Sequence, residues 1–448
     1  MKSLIVTNSK LSTGAGVVAL DLQHGLEAAG VETDIVVNQY SGTLPKVYNV
    51  QSKLVRIISV AIATVVDKLL KAAFTRKLIV KLFGSFKIAK NLIFKMEGAN
   101  QYFVQDLDQT VNYYSTDKLL KHIKTKSYDG VIVLFMQNFL TFKNLVEISK
   151  NYGDIPVFIY LMDMAPITGG CHYAWSCEGY KNDCSACPAV SEDNQHFISS
   201  NFEFKLAHSR SSKLQFVSCT GQQLKEVVDS KMVADKPQHK ILLPINEKIF
   251  HNTAKARQEK RKSLNYTDDD LVIFFGAMNL GNPRKGGKVL LEALMAIAEM
   301  GKAKQVKLLI AGGNISFLSA LEEPYDLQHL GLVPHHELAD VFRAADFFIS
   351  PSIADSGPMM VNQSVTSGTR VVSFEIGVAL DLVVPHEECG ITAKTIDGAG
   401  LKEAILKEID LQTSTDRAVL RSKCAERAME LTGSRSTGKQ WKELLSTY

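Results

Sequence analysis

The sequence contains no apolar run long enough to cross a membrane as a helix. The longest clearly apolar run in the chain, Ile57 to Val66, is well short of the roughly 20 residues that a spanning helix needs. The N-terminal segment, Met1 to Asn8, changes from an apolar to a polar pattern too early for a secretory signal. We therefore expect a cytoplasmic protein, in a compartment where disulfides are uncommon.

Motifs of several common reaction types are also absent. The sequence has no P-loop, no serine, histidine and aspartate arrangement typical of a nucleophilic triad, and no mixed aromatic and basic pattern that binds nucleic acid. These absences exclude a P-loop nucleotidase, a triad hydrolase and a nucleic-acid partner from the predictions. With 46% hydrophobic and 22% charged residues, the 448-residue chain has the composition of an ordinary globular protein of about two or three domains.

The net charge is +4, but the basic residues are unevenly distributed. Between Gln51 and Asn100 there are ten lysine or arginine residues and two acidic residues, interleaved with apolar residues at helical spacing. Two interpretations fit this basic stretch. It forms a solvated helical face packed on the N-terminal domain, or it contacts anionic lipid or a lipid-diphosphate acceptor at the inner face of the plasma membrane.

Strand and helix patterns alternate along the chain, which is typical of parallel sheets covered by helices. The sequence therefore predicts an α/β fold with two Rossmann-like parallel-sheet domains, residues 1–240 and 241–430, facing a cleft. We expect the last helix, within 431–448, to return to the first domain. The predicted strands lie at 3–8, 33–37, 130–135, 156–162, 215–218, 271–276, 306–312, 347–350 and 371–374.

The most informative segment follows the predicted strand at 347–350. A polar loop containing Asp355 leads to a Gly-Pro turn that opens a helix. The first turn of a helix has unpaired backbone N–H groups and partial positive charge, so it favours an anion such as a diphosphate. Asp355 could accept hydrogen bonds from sugar hydroxyls. The residues predicted to bind such a diphosphate-bearing molecule, as the donor of a sugar, are Gly357, Pro358, Met359, Met360 and Gln363.

A second strand-loop-helix segment, 276–287, carries the adjacent cations Arg284 and Lys285. Breaking a sugar–diphosphate bond places negative charge on the leaving phosphate, and fixed cations stabilise that charge as it develops. The alternative is a pair of solvated loop cations. The strand-loop-helix context favours the diphosphate site.

Four of the seven cysteines, Cys171, Cys177, Cys184 and Cys187, fall within seventeen residues and end in a C-x-x-C pair. Thiolates at this density in a reducing compartment favour a structural zinc. An iron–sulfur cluster is the next alternative, followed by two disulfides or free thiols. Four sulfur ligands leave no open coordination position, so we predict no catalytic metal.

These segments resemble the family 4 glycosyltransferases, which have the GT-B fold. In that family an acidic residue, seven intervening residues and a glutamate stand where this chain has Asp355 and Gln363. An amide holds the ribose of a nucleotide sugar less strongly than a carboxylate does. Family members also have an arginine and a lysine in the loop of Arg284 and Lys285, and the match is firmer for Lys285.

Residues 163–188 resemble a subset of that family, the colanic-acid-type group that builds bacterial surface polysaccharides and has a cysteine-rich insert, here at about 163–190. Asp163 matches its motif, whereas Met162 replaces a histidine. By this resemblance His172 binds the acceptor or assists a proton transfer, or it only donates a hydrogen bond to the backbone. The acceptor-side residues are then Asp163 and a glycine loop made of Gly14, Ala15 and Gly16.

The resemblance implies a retaining glycosyltransferase that moves a sugar from a nucleotide sugar to a glycan or lipid-diphosphate-linked acceptor during surface polysaccharide synthesis. Gln363 and Met162 also support an alternative, in which an inactive GT-B scaffold serves as a binding or assembly subunit through its cysteine module. A phosphorylase that uses the same cleft is a further alternative.

Overall fold

The first half of the chain forms a seven-stranded parallel sheet with the order β3-β2-β1-β4-β5-β6-β7. We describe the protein from a computed structural model, which covers residues 1–8, 11, 16–38, 40, 42–51, 101–104, 108–111, 114–211, 213–313 and 316–448. The strands are β1 (Lys2–Thr7), β2 (Glu32–Val37), β3 (Val47–Asn49), β4 (Gly130–Leu134), β5 (Val157–Leu161), β6 (Leu214–Ser218) and β7 (His239–Lys240).

Helices cover both faces of this sheet, and β4, β5 and β6 are buried at every position as a result. Two helices begin at threonine caps: Thr141 Oγ1 accepts from Asn144 N, and Thr220 Oγ1 accepts from Gln223 N. The helices are α1 (Val17–Ala28), α2 (Thr116–Leu120), α3 (Phe142–Asn151), α4 (Gln195–Ser209) and α5 (Gly221–Asp229).

The second half forms a six-stranded parallel sheet with the order β10-β9-β8-β11-β12-β13. Its strands are β8 (Val272–Asn279), β9 (Lys307–Gly313), β10 (Asp326–His329), β11 (Phe347–Ser350), β12 (Arg370–Phe374) and β13 (Gly390–Ala393). The helices are α6 (Ala254–Ser263), α7 (Gly287–Glu299), α8 (His335–Ala344), α9 (Met359–Thr366), α10 (Ala379–Leu382), α11 (Gly398–Ser414), α12 (Arg417–Thr432) and α13 (Ser434–Thr447).

The last helix, α13, packs against α1 of the first domain. A Cβ atom on Gly438 would lie 1.9 Å from the carbonyl oxygen of Gly25, so a glycine is needed where these helices approach. Further along α13, Trp441 is fully buried and its ring meets the ring of Tyr160 on β5 edge-on, with 5.0 Å between the ring centres. The chain thus crosses between the two domains twice, once near Ile245 and once near Gly433, where these two residues form an isolated bridge.

The carboxyl ends of the two sheets face each other. The loop that follows β6 contacts the loop that follows β11, because Thr220 Oγ1 donates a hydrogen bond of 2.9 Å to the Ser356 carbonyl. The predicted architecture of two parallel-sheet α/β domains is confirmed. The short strands β3, β7, β10 and β13 were not predicted.

Part of the predicted organisation lies outside the described residues, namely Gly14, Ala15 and all of the basic stretch beyond Gln51. Across the ranges that the structure covers, none of the helices combines the length and the hydropathy that crossing a bilayer would require. Gly16 is described, and it is buried at the start of α1 with an ordinary φ of −70°.

Candidate functional site

The loop after β8 is shaped by close backbone contacts with the loop after β11. The side chain of Asn282 accepts from Arg284 N at 3.1 Å, and Ile353 N donates to the carbonyl of Arg284 at 2.8 Å. Gly286 has a φ of +67°, and a Cβ atom there would lie only 1.7 Å from the Pro351 carbonyl oxygen. Only glycine fits this position. The turn therefore brings the predicted cation pair beside the loop that carries the predicted carboxylate.

Both cations contact Asp355. Arg284 Nη1 lies 3.1 Å from Asp355 Oδ2, and Lys285 Nζ lies 2.6 Å from the same oxygen. The other carboxylate oxygen accepts from Gly357 N at 3.2 Å. Burial raises the pKa of Asp355, but the charges of Lys285 and Arg284 outweigh it and the pKa falls below its ordinary value. The result is a carboxylate flanked by two cations at the carboxyl end of the second sheet.

Aromatic rings from the first domain cover Arg284. Its guanidinium carbon lies 3.9 Å from the centre of the Tyr173 ring and 5.7 Å from the centre of the Phe103 ring. The two rings meet edge-on, with 6.0 Å between their centres. Burial raises the pKa of Tyr173 well above its ordinary value, so the phenol is neutral at physiological pH. These contacts hold the guanidinium in place across the domain boundary.

Sequence reasoning missed the role of both aromatic residues. Tyr173 lies within residues 163–188, whose resemblance to the surface-polysaccharide group was a usable signal, whereas nothing in the sequence around Phe103 indicated a function.

On the first domain, Asp163 and His172 form a pair. His172 Nδ1 lies 2.9 Å from Asp163 Oδ2, while Asp163 Oδ1 accepts from Gln137 Nε2 at 3.0 Å and from Ala165 N at 2.9 Å. Asp163 is thus held on both oxygens and contacts the imidazole, and the part of His172 in acceptor binding or proton transfer stays a prediction. Gln137, which helps to hold Asp163, was not predicted.

The first turn of α9 lies against the first domain. A Cβ atom on Gly357 would lie 2.9 Å from Thr220 Cγ2 and 3.6 Å from Cys219 Sγ. Met359 packs against apolar residues of both domains, whereas Met360 packs against the second domain only. Pro358 occupies the N-cap position of the helix, without a side-chain hydrogen bond to it. The predicted donor-binding turn therefore lies at the domain boundary.

Gln363 is fully buried, and its Nε2 lies 3.0 Å from His335 Nε2. Its Oε1 atom has no hydrogen-bond partner among the described residues. In this arrangement the side chain does not face an open cleft, and the predicted contact with a ribose stays a prediction.

A second set of contacts joins the two domains beside this turn. Asp381 Oδ2 accepts from Gly221 N at 2.7 Å, and Asp381 Oδ1 lies 2.6 Å from Lys240 Nζ. Gly377 N donates to Gln222 Oε1 at 2.6 Å. These contacts hold the two domains together beside the segment between Asp355 and Met359.

The four clustered cysteines line a single cavity of about 20 Å³. All four are free thiols, so the alternative of two disulfides is not what the structure contains. Within the described ranges, no group of three or more histidine, cysteine, aspartate or glutamate side chains already forms a metal-binding arrangement. The cysteines outside this cluster are all buried, and they are Cys219, Cys389 and Cys424.

Residues 269–410 match the protein-family model described as "Glycosyl transferases group 1". This segment contains Arg284, Lys285, Asp355 and the start of α9, and it is less than half of the chain. The match supports the predicted resemblance to glycosyltransferases over residues 269–410. The predicted cysteine-rich insert, at about 163–190, lies outside the matched residues. The finer assignment to a colanic-acid-type group, which depends on that insert, is therefore not tested by this match.

Curated relatives match over a similar share of the chain. D-inositol 3-phosphate glycosyltransferase of Corynebacterium efficiens is 30% identical over 140 residues, which are 29% of this chain and 32% of that protein. The enzyme of the same name from Saccharomonospora viridis is 28% identical over 197 residues, 41% of this chain and 44% of that protein. The chain thus matches less than half the length of these relatives.

Solved structures resemble the whole chain. Anabaena Alr3699/HepE in complex with UDP and glucose superposes with a TM-score of 0.59 at 14% identity, covering 100% of both chains. WaaG, a glycosyltransferase involved in lipopolysaccharide biosynthesis, gives a TM-score of 0.60 at 11% identity, also covering 100% of both chains. At such low identity the likeness concerns the fold, which is that of GT-B glycosyltransferases.

Proposed function

We propose that the protein is a nucleotide-sugar-dependent glycosyltransferase whose second domain binds the donor. The observation that carries this proposal is the convergence of Arg284 and Lys285 on Asp355 beside the first turn of α9. All of these groups lie inside the segment that matches the glycosyltransferase family. The complex of Anabaena HepE with UDP and glucose supports a nucleotide sugar as the donor class.

Each of these residues has a part in the proposed reaction. The bond between the anomeric carbon and the diphosphate oxygen breaks, and its electron pair leaves with the diphosphate. Arg284 and Lys285 stabilise the charge that develops there, in a site where surrounding protein replaces water. Asp355 offsets only one of the two positive charges, so the cation pair can still attract a diphosphate. The arriving diphosphate then shares the cations with Asp355, and the carboxylate turns toward the sugar hydroxyls.

We further propose that the transfer retains the anomeric configuration. The acceptor hydroxyl oxygen bonds to the anomeric carbon on the face from which the diphosphate leaves, and the hydroxyl proton passes to the leaving diphosphate oxygen. The described residues around Asp355 offer two cations, Arg284 and Lys285, and no second carboxylate contacts them. Such a site suits charge stabilisation better than the formation of a covalent sugar–enzyme bond.

The acceptor side of the proposal rests on Asp163 and His172. Asp163 holds the imidazole through Nδ1, and we propose that His172 assists the acceptor hydroxyl. We propose a glycan or a lipid-diphosphate-linked glycan of cell-surface polysaccharide synthesis as the acceptor. The fold likeness to WaaG and the motif of residues 163–188 support this choice.

The direct test is to incubate the purified protein with a panel of nucleotide sugars and to measure nucleotide release and sugar transfer. We expect release with one donor class, and loss of that release in Lys285→Ala. Lys304→Ala, which changes an exposed lysine remote from the loop, is the matched control. If no donor is turned over and Lys285→Ala leaves nucleotide binding unchanged, the proposed function is wrong.

A second variant distinguishes an enzyme from an assembly subunit that has lost turnover. Gln363→Glu places a carboxylate next to His335. If a donor reaches this side chain when the domains open, the carboxylate would hold a ribose hydroxyl more strongly than the amide does. We expect a higher affinity for the nucleotide sugar. No change in affinity, combined with no turnover, would favour the assembly subunit. A requirement for free phosphate in sugar release would instead indicate a phosphorylase.

A further inference from the structure

We propose that Cys171, Cys177, Cys184 and Cys187 bind one zinc ion, and that this ion positions Tyr173 and Phe103 on Arg284. The cysteine module is defined here as residues 171–187. The metal site is independent of the proposed function, whereas its effect on Arg284 rests on that function.

The cavity between the four thiols has the size and lining of a site for a single ion. Its volume of about 20 Å³ is close to the ~10–15 Å³ that one water-sized occupant requires. Apart from the cysteines, the lining is mostly apolar, with Val104, Ala174 and Ile198 among it. A set of four sulfur donors in an apolar shell suits a closed structural zinc site and gives a hard oxygen-loving cation nothing to bind.

A backbone N–H group already points at one of the sulfurs. Gly179 N donates to Cys177 Sγ at 3.4 Å. Donors of this kind orient sulfur ligands and stabilise their negative charge when a metal is bound.

The sulfurs have to draw together around the ion, because the described side chains do not yet form a ligating group. Two residues of the module have a left-handed backbone conformation. Trp175 has a φ of +52° and Cys184 a φ of +55°, a region that non-glycine residues adopt only when the surrounding structure imposes it. Metal–thiolate bonds would supply the energy that holds these two residues there.

The module is tied directly to the rings that cover Arg284. Cys171 pairs with Val104 in an isolated antiparallel bridge, and His172 N donates to the Tyr102 carbonyl at 2.9 Å. Phe103 precedes Val104, and Tyr173 follows Cys171 by two residues. An ion bound to Cys171 therefore fixes both segments that carry the rings. Through them it restricts the guanidinium of Arg284 across the domain boundary.

Elemental analysis of protein purified without added metal tests the site. We expect one zinc per chain, its loss in Cys184→Ser and Cys187→Ser, and its retention in Cys389→Ala, a buried cysteine outside the module. If the variants fail to fold, cobalt exchanged into the wild-type protein should give the absorption bands of a tetrahedral thiolate site. Absence of metal from the wild-type protein, an iron–sulfur cluster in its place, or zinc that survives both serine substitutions would overturn the proposal.

Kinetics with the nucleotide sugar test the effect on Arg284. Tyr173→Leu should keep its zinc and raise the KM by about fivefold with a smaller change in kcat, because a cation–π contact is lost. Tyr173→Phe keeps the ring and should behave like wild type. Equal KM values for the two variants, or an unchanged KM after removal of zinc, would overturn the positioning role. If no nucleotide sugar is turned over at all, the metal content still shows whether the cysteines bind zinc. The proposed zinc site and the proposed function can therefore be disproved independently.

Discussion

Thr220 and Ser356 join the two domains at the position where the proposed donor would bind. The Thr220 hydroxyl donates to the Ser356 carbonyl at 2.9 Å, one residue after Asp355 and one before Gly357. Closure of the domains and the shape of the donor loop are therefore coupled, since neither can change without breaking this bond. The two domains therefore touch at the loop where the proposed donor would bind.

Substitution of Lys285 should affect the rate more than the stability of the fold. Lys285→Ala removes one of two cations from the developing diphosphate charge, and we expect kcat to fall by about 10²-fold to 10³-fold, as for other preorganised charge-stabilising groups. Thermal unfolding should change less than the rate does, because Arg284 still pairs with Asp355 in the variant. Steady-state kinetics beside a melting curve checks both expectations. A variant with wild-type kcat would remove Lys285 from the site.

Gly286 should tolerate no side chain. Gly286→Ala combines a φ of +67° with a Cβ that would lie 1.7 Å from the Pro351 carbonyl oxygen. Gly301→Ala is a matched control, because Gly301 has a φ of +73° and nothing within 4 Å of its Cβ position. We expect the control to lose about 1 kcal/mol of stability and Gly286→Ala to lose clearly more, with weaker nucleotide binding. Denaturant melts of the two variants measure the difference, and equal losses would contradict the clash.

Asp381 should control domain closure. Its carboxylate accepts from Gly221 N and pairs with Lys240, both in the first domain. Asp381→Ala leaves these groups without their acceptor, so we expect a larger radius of gyration in small-angle X-ray scattering and a higher KM for the nucleotide sugar. Asp410→Ala, an exposed aspartate on α11, is the control. An unchanged radius in both variants would mean that other contacts maintain closure.

Asp21 should make stability depend on pH. Burial and the negative charge of Glu247 raise its pKa from 3.8 to about 8, although the backbone N–H of Asn246 opposes the shift. Between these two values the folded protein keeps a proton that the unfolded chain has lost. The contribution of Asp21 to the free energy of unfolding therefore falls as the pH rises from about 4 to about 8.

Asp21→Asn removes that dependence. We expect the variant to melt above wild type at pH 8, with a smaller difference at pH 5, in scanning calorimetry at both values. The exposed Asp235 provides the control Asp235→Asn, which should follow wild type at both. A difference that is the same at the two pH values would show that Asp21 is ionised in the folded protein.

Much of the architecture could be predicted because parallel strands that are covered on both faces have continuous apolar sequences. The runs that became β4, β5 and β6 are buried along their whole length. The strands that were missed are short and lie toward the sheet edges. β10 (Asp326–His329) is largely polar, and its pairing with β9 stabilises it. The local sequence pattern does not predict this pairing.

The sequence by itself determined the order of strands and helices and the loops in which Arg284, Lys285 and Asp355 lie, because apolar periodicity and glycine-containing turns are local properties of the chain. Only the tertiary structure decided what those groups meet. Tyr173 covers Arg284 from more than a hundred residues away, and Gln363 packs against His335 instead of facing a cleft. Such contacts depend on how two separately folded sheets approach each other, and that geometry arises from packing over the whole molecule.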